Sequence, residues 1–186
     1  AFDRTKNTLF IARSEKNDSG GRTYKYRTRT VDMTVNPIKL SSSEGLLLNS
    51  DNNSVGGSTL AVSDDGKYLY NISGQTIYVR NNNWKILYNF DIPEYHGTLQ
   101  NLTYMNGYLY VGVYESCGIK YQNYCYGEKH ALNIYVYNAK FNPDGTPNRW
   151  FGHRVDSYCS YDINDTEKTH EIEGLGAFND TLYIGL

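Results

Sequence analysis

One strand type recurs along this chain and restricts what it can fold into. The segments are Asn7-Thr8-Leu9-Phe10-Ile11-Ala12, Gly66-Lys67-Tyr68-Leu69-Tyr70-Asn71-Ile72, Asn106-Gly107-Tyr108-Leu109-Tyr110-Val111-Gly112-Val113 and Asn179-Asp180-Thr181-Leu182-Tyr183-Ile184-Gly185-Leu186. Each opens on a tight-turn signal and continues as aromatic and β-branched residues, so each reads as a hairpin turn feeding a strand. Self-similarity of this kind along a chain is the mark of a repeat architecture.

The repeated leucines, Leu9, Leu69, Leu109 and Leu182, stand 60, 40 and 73 residues apart. The shortest spacing suits a four-stranded propeller blade, and the longer ones then contain insertions. In the 40-residue unit the pattern predicts strands at Ser58–Ser63, Tyr68–Tyr70, Thr76–Arg80 and Trp84–Phe90, with Asp64-Asp65-Gly66 and Ser73-Gly74-Gln75 as turns. The next unit repeats the order at Leu99–Met105, Tyr108–Val113, Asn133–Tyr137 and Trp150–Val155. An insertion of roughly Glu115 to His130 falls between its second and third strands. Thr23–Arg27 is the third strand of the first unit, and Glu171–Phe178 with Thr181–Leu186 begin a fourth.

The expected fold is therefore all-β: a partial β-propeller of antiparallel four-stranded blades, about three blades plus the start of a fourth. As a single propeller region over 1–186, its blades run at about 1–56, 57–97, 98–169 and an incomplete 170–186. Such a chain reads as a fragment, or as a subunit whose ring another chain completes. A β-sandwich would space its strands similarly but does not account for the repeated turn-Leu strand.

A composition of 39% hydrophobic and 20% charged residues is that of a folded globular protein, not a disordered one. Its apolar content is weighted toward tyrosine, with 19 copies, and leucine-rich helical periodicity is missing. A net charge of -2 leaves no surplus of Lys and Arg for general nucleic-acid binding, although Arg22 to Arg29 is locally basic. No apolar run is long enough for a membrane-spanning helix.

His170-Glu171-Ile172-Glu173-Gly174 is the most pointed local motif. Strand alternation sends Glu171 and Glu173 to one side, where two carboxylates repel unless a cation, a proton or a basic group lies between them. The pair is the candidate to hold a polar ligand, calcium or another divalent cation; solvation, or pairing with Arg154 or Lys168, is the plainer alternative. Asp162, Asn164, Thr166 and Glu173 echo a calcium loop, but Glu167 stands where that loop needs glycine. No other cofactor is expected.

Cys117 and Cys125 flank a loop containing Tyr121 and Tyr124. A disulfide there would staple an exposed, tyrosine-rich recognition loop, since tyrosine gives contact area at low rotamer cost. Reduced cysteines, or a bridge from either one to Cys159, remain equally open. Trp84 and Trp150 open what read as equivalent outer strands, which points to packing for both. Nucleophile elbows, phosphate-binding glycine loops, H-E-x-x-H and C-x-x-C are all missing.

The turn-Leu-Tyr-Ile-Gly strands, Asn133-Ile134-Tyr135-Val136-Tyr137, and Glu171-Ile172-Glu173-Gly174-Leu175 ahead of Asn179–Gly185 resemble a group of propellers. That group comprises helveticin-type bacteriocins and the receptor-binding propellers of phage tails, and the likeness spans about Gly57 to Leu186. The resemblance implies a non-enzymatic, extracellular, secreted or virion-associated protein that binds a cell-envelope glycan or other surface ligand. The Glu115–His130 insertion and the cysteines depart from the group. Two alternatives from other classes are a metal-dependent propeller hydrolase of lactonase or esterase type, using Glu171 or Glu173, and a structural module of a larger assembly.

Overall fold

The computed structural model describes residues 1–49, 51, 55–57, 59–92, 98–116, 130–160 and 174–185. The described residues are all-β, and they fall into two compact units, Ala1–Asp91 and Ile92–Leu186.

In the first unit, β1 (Phe2–Asp3), β2 (Thr8–Lys16), β3 (Arg22–Asp32) and β4 (Lys39–Leu40) form an antiparallel meander, and β5 (Gly45–Leu46) pairs with the same edge of β3 as β4. The outer strand of this sheet is thus two short pieces. A second meander follows: β6 (Leu60–Val62), β7 (Leu69–Ser73), β8 (Thr76–Arg80) and β9 (Ile86–Asp91). The core of the unit lies between the two sheets, where Phe10 and Tyr26 meet Leu60, Val62 and Leu69. Tyr26 is fully buried and its hydroxyl donates to the Thr59 carbonyl at 2.5 Å, which satisfies its one polar atom.

The second unit repeats the plan. β10 (Thr98–Met105), β11 (Tyr108–Ser116), β12 (His130–Asn138) and β13 (Arg154–Ser160) form a meander, and β14 (Gly174–Phe178) with β15 (Thr181–Gly185) form a hairpin beside it. Leu109, Val111 and Val113 on β11 are completely buried, as period-2 alternation requires of a covered face. Leu175 and Leu182 of the hairpin, together with Tyr110, pack against Ile134.

The recurring sequence segments are the second strands: β2, β7, β11 and β15. Their leucines pair across the first hairpin in the same way, Leu9 with Phe2, Leu69 with Val62, Leu109 with Tyr104 and Leu182 with Ala177. Ahead of each strand stands a left-handed residue: Asn7 (φ 49°), Gly66 (φ 68°), Asn106 and Gly107 (φ 54° and 83°), and Asn179 and Asp180 (φ 47° and 59°). Gly and Asn tolerate that region best, which is why the turn signals were legible.

The two complete meanders also agree in detail. Each carries a bulge at the same step between third and fourth strands, Val79/Arg80 in one and Val136/Tyr137 in the other. In the following turn, the Trp84 N–H donates to the Asn81 carbonyl and the Asn81 N–H to Lys85; likewise Gly152 donates to Asn138 and Asn138 to His153. Trp84 (φ 62°) therefore corresponds to Gly152 (φ 76°), not to Trp150. The expected equivalence of the two tryptophans is corrected: both precede an outer strand, but only Trp84 occupies the left-handed turn position. The outer strands accordingly begin at Ile86 and Arg154, later than Trp84 and Trp150.

Candidate ligand-binding site

Tyr121, Tyr124, Cys117, Cys125, Glu171 and Glu173 lie outside the described residues. The strands that border them are described. β11 ends at Ser116 opposite His130, where β12 begins, and β13 ends at Ser160 opposite Leu132. β14 starts at Gly174, at the opposite end from the Asn179-Asp180 turn. That turn meets the β10–β11 turn through Asn106 and Asp180. The described strand ends that border the two candidate segments thus lie at one end of the strands of the second unit. The third cysteine, Cys159, pairs through its backbone with Asn133.

At the other end, the turn between the third and fourth strands is longer in the second unit than in the first. Two residues, Asn82 and Asn83, separate Asn81 from Trp84, whereas 139–151 separate Asn138 from Gly152. The longer connection is hydrogen-bonded throughout. Ala139 donates to the Gly107 carbonyl at 2.9 Å, Asn142 to Thr146 at 2.8 Å, Gly145 to Asn142 at 2.9 Å and Asn148 to Lys140 at 3.0 Å. Asp144 Oδ1 accepts from the Thr146 N–H at 2.9 Å and from its hydroxyl at 2.6 Å. Those hydrogen bonds hold the Asp144 carboxyl below its usual pKa. Phe141 packs on Phe151 with ring centroids 5.1 Å apart.

This scaffold displays Trp150. Its N–H donates to Asn148 Oδ1 at 2.9 Å and its carbonyl accepts from the His153 N–H at 3.0 Å, so the backbone is held on both sides. The indole is nevertheless 50% exposed. The Arg149 guanidinium lies 4.5 Å from its ring centroid and the His153 imidazole meets it edge-on at 5.6 Å. With its backbone held and the guanidinium stacked over one side of the ring, the rest of the exposed indole presents an aromatic stacking surface beside polar side chains. Core placement, expected for both tryptophans, holds in part for Trp84, which packs against the Tyr26 cluster; Trp150 is a surface residue. Its exposure follows from the inserted turn, which moves it two residues ahead of the position equivalent to Trp84. A proline- and glycine-containing turn longer than its counterpart, followed by Arg-Trp-Phe, was the available signal.

The basic stretch Arg22 to Arg29 is largely neutralised. Arg27 and Lys25 pair with Glu15, and Arg29 and Arg13 pair with Glu44, the last two at 2.8 and 2.9 Å. The hydrogen bonds from Arg27 and Arg29 lower the pKa values of Glu15 and Glu44 against a smaller effect of burial. Among the described residues, no group of three His, Cys, Asp or Glu side chains is placed to hold a metal ion. No helix among them is long and apolar enough to cross a membrane. The chain matches no protein-family model and no curated protein sequence.

Proposed function

We propose that the successive meanders are blades of a β-propeller and that the protein is a non-enzymatic binding module for a cell-surface glycan. This is the role implied by the resemblance to helveticin-type bacteriocins and phage-tail receptor-binding propellers. The fold reading is supported by the order of the sheets. Within the first unit the first strands β1 and β6 are neighbours, and within the second so are β10 and β14, the relation that inner strands of consecutive blades bear to one another.

Exposed Trp150 is the observation that carries the binding role. An indole half open to solvent, with Arg149 stacked over one side of the ring and His153 edge-on to it, offers its remaining exposed surface to the apolar face of a sugar and two neighbouring polar groups to its hydroxyl rim. The test is binding of the labelled full chain to arrayed bacterial wall polysaccharides and teichoic acids, followed by the Trp150→Ala variant. Loss of a central aromatic anchor is expected to weaken binding by about tenfold or more while leaving the melting temperature unchanged. An array without specific binding would sink the glycan reading; full binding by Trp150→Ala would move the site elsewhere. The hydrolase alternative rests on Glu171 and Glu173, and a metal assay of the Glu173→Ala variant separates it.

A further inference from the structure

Three residues occupy one register position in the three meanders, opposite the repeated leucine on the third strand: Arg29 faces Leu9, Arg80 faces Leu69 and Tyr137 faces Leu109. They solve the position differently. Tyr137 is 2% exposed and carries no charge, so packing alone is met by a neutral side chain. Arg29 is charged and bound to the Glu44 carboxylate through Nε at 3.1 Å and Nη2 at 2.8 Å. Arg80 is charged, yet no carboxylate lies within ion-pair distance of it among the described residues.

The Arg80 guanidinium is also held in place. Nε donates to Asn71 Oδ1 at 2.7 Å, and Asn71 is itself buried; Nη1 donates to the Trp84 carbonyl at 2.9 Å. The Trp84 ring lies 4.7 Å from Cζ and the Tyr78 ring 5.4 Å. Tyr26 braces Trp84 edge-on at 5.4 Å. These contacts engage Nε and one hydrogen of Nη1, and the Nη2 group with the second Nη1 hydrogen has no partner among the described residues. A half-buried charge without a counter-charge is unfavourable. Burial lowers the Arg80 pKa, against the opposing influence of Tyr26 and Tyr78, but a guanidinium keeps its proton at neutral pH.

The turn adds a second departure from what folding requires. Gly152 takes the left-handed position of this hairpin without strain, whereas Trp84 holds it at φ 62°, a conformation unfavourable for a bulky side chain. A charge without a carboxylate partner among the described residues and a strained backbone thus meet where the sister hairpin has the neutral Tyr137 and the unstrained Gly152. Local departures of this kind gather at ligand sites.

We propose that Arg80, walled by Trp84 and Tyr78, is an oxyanion-binding site that takes a carboxylate or a phosphodiester on its Nη1–Nη2 edge. The anion occupies the role that Glu44 plays for Arg29, and the planar fork accounts for arginine at this position. The site involves no residue of the Trp150 platform and stands or falls separately from the glycan reading.

The test is an NMR titration of the full chain with sodium glucuronate and, separately, with dimethyl phosphate, against sodium chloride at matched ionic strength. Saturable shifts of the Arg80 Nε–H and Trp84 indole N–H signals are expected, with a Kd of about 1 to 10 mM for so small a ligand. Response to glucuronate alone assigns the site to an acidic sugar, response to dimethyl phosphate alone to a phosphodiester polymer, and response to both to either oxyanion; each supports the proposal. Arg80→Lys is expected to bind about tenfold more weakly because the fork is lost. If that variant does not fold, the wild-type titration decides by itself, with the Nε–H of exposed Arg22 as the reference outside both proposed sites. No saturable shift up to about 100 mM of either anion, or an equal response to chloride, overturns the proposal.

Discussion

Asn106 Nδ2 donates to Asp180 Oδ1 at 2.7 Å, joining two hairpin turns that lie 74 residues apart in sequence. Both residues are left-handed turn residues of the same repeat. The bond places equivalent turns of neighbouring sheets side by side, so that β10 and β14 run in the same direction. In the first unit the corresponding contact is tight packing: a Cβ at Gly66 would stand 2.8 Å from Asp3 Oδ1 and 2.3 Å from Thr5 Oγ1.

The Asn106–Asp180 bond is expected to contribute about 1 kcal/mol, the usual net worth of such a hydrogen bond. A double-mutant cycle with Asn106→Gly and Asp180→Gly isolates it, because glycine keeps both left-handed turns. Denaturant titration of the four proteins gives the coupling. A value near zero would show that the two turns do not meet in solution.

Asp3 is expected to shape the acid limb of stability. Burial pushes its carboxyl up, but hydrogen bonds from Thr5 at 2.7 and 2.9 Å, with Lys6 at 3.2 Å, more than reverse this and leave the pKa below its ordinary value. The folded value is depressed, so the contribution is fully present above the unfolded pKa of about 3.9 and is lost as pH falls through the folded one. Urea midpoints between about pH 2 and 5 are expected to fall more steeply for the wild type than for Asp3→Asn. Equal slopes would remove Asp3 from the account.

Tyr26 acts at the other extreme. Burial raises its phenol pKa, against a smaller opposing effect of Arg80, so the folded form holds its proton more tightly than the unfolded one. The stability it contributes is complete below the unfolded pKa of about 10 and is lost as pH rises toward the folded value. Tyr26→Phe leaves the Thr59 carbonyl without its donor and is expected to lose about 1 to 2 kcal/mol at pH 7, with a shallower alkaline limb. Thermal melts from pH 7 upward measure both.

Two glycines separate backbone strain from steric exclusion. Gly74 has φ 60° and open space where a Cβ would stand, so Gly74→Ala is expected to lose only about 1 kcal/mol. At Gly56 a Cβ would lie 1.7 Å from the Tyr24 carbonyl oxygen, and Gly56→Ala is expected to lose more than about 3 kcal/mol or to prevent folding. Similar losses for both would mean that Gly56 does not pack against β3 as described.

Much of the strand pattern could be read along the chain. Thr76–Arg80 forms the strand its alternation predicts, and the four turn-Leu segments all become second strands. Apolar alternation and left-handed turn residues act over a few positions, so they are visible locally. The split outer strand of the first sheet was not visible, since β4 and β5 are two residues each and exist only through pairing with β3. Trp84 misled for a related reason: an indole at the head of an apolar run looks like the start of a strand, and only its hydrogen bond to Asn81 shows that it belongs to the turn.

Sequence by itself thus determined the class of fold, the repeat, and which strand of each sheet the repeat would form. Tertiary structure decided which polar and aromatic side chains became sites. Trp150 is exposed because the inserted turn carries it off the sheet, and among the described residues no side chain does for Arg80 what Glu44 does for Arg29. Burial and charge pairing depend on residues far apart in sequence, whereas periodicity and turn conformation depend on neighbours, and that difference in range separates what could be read from what had to be seen.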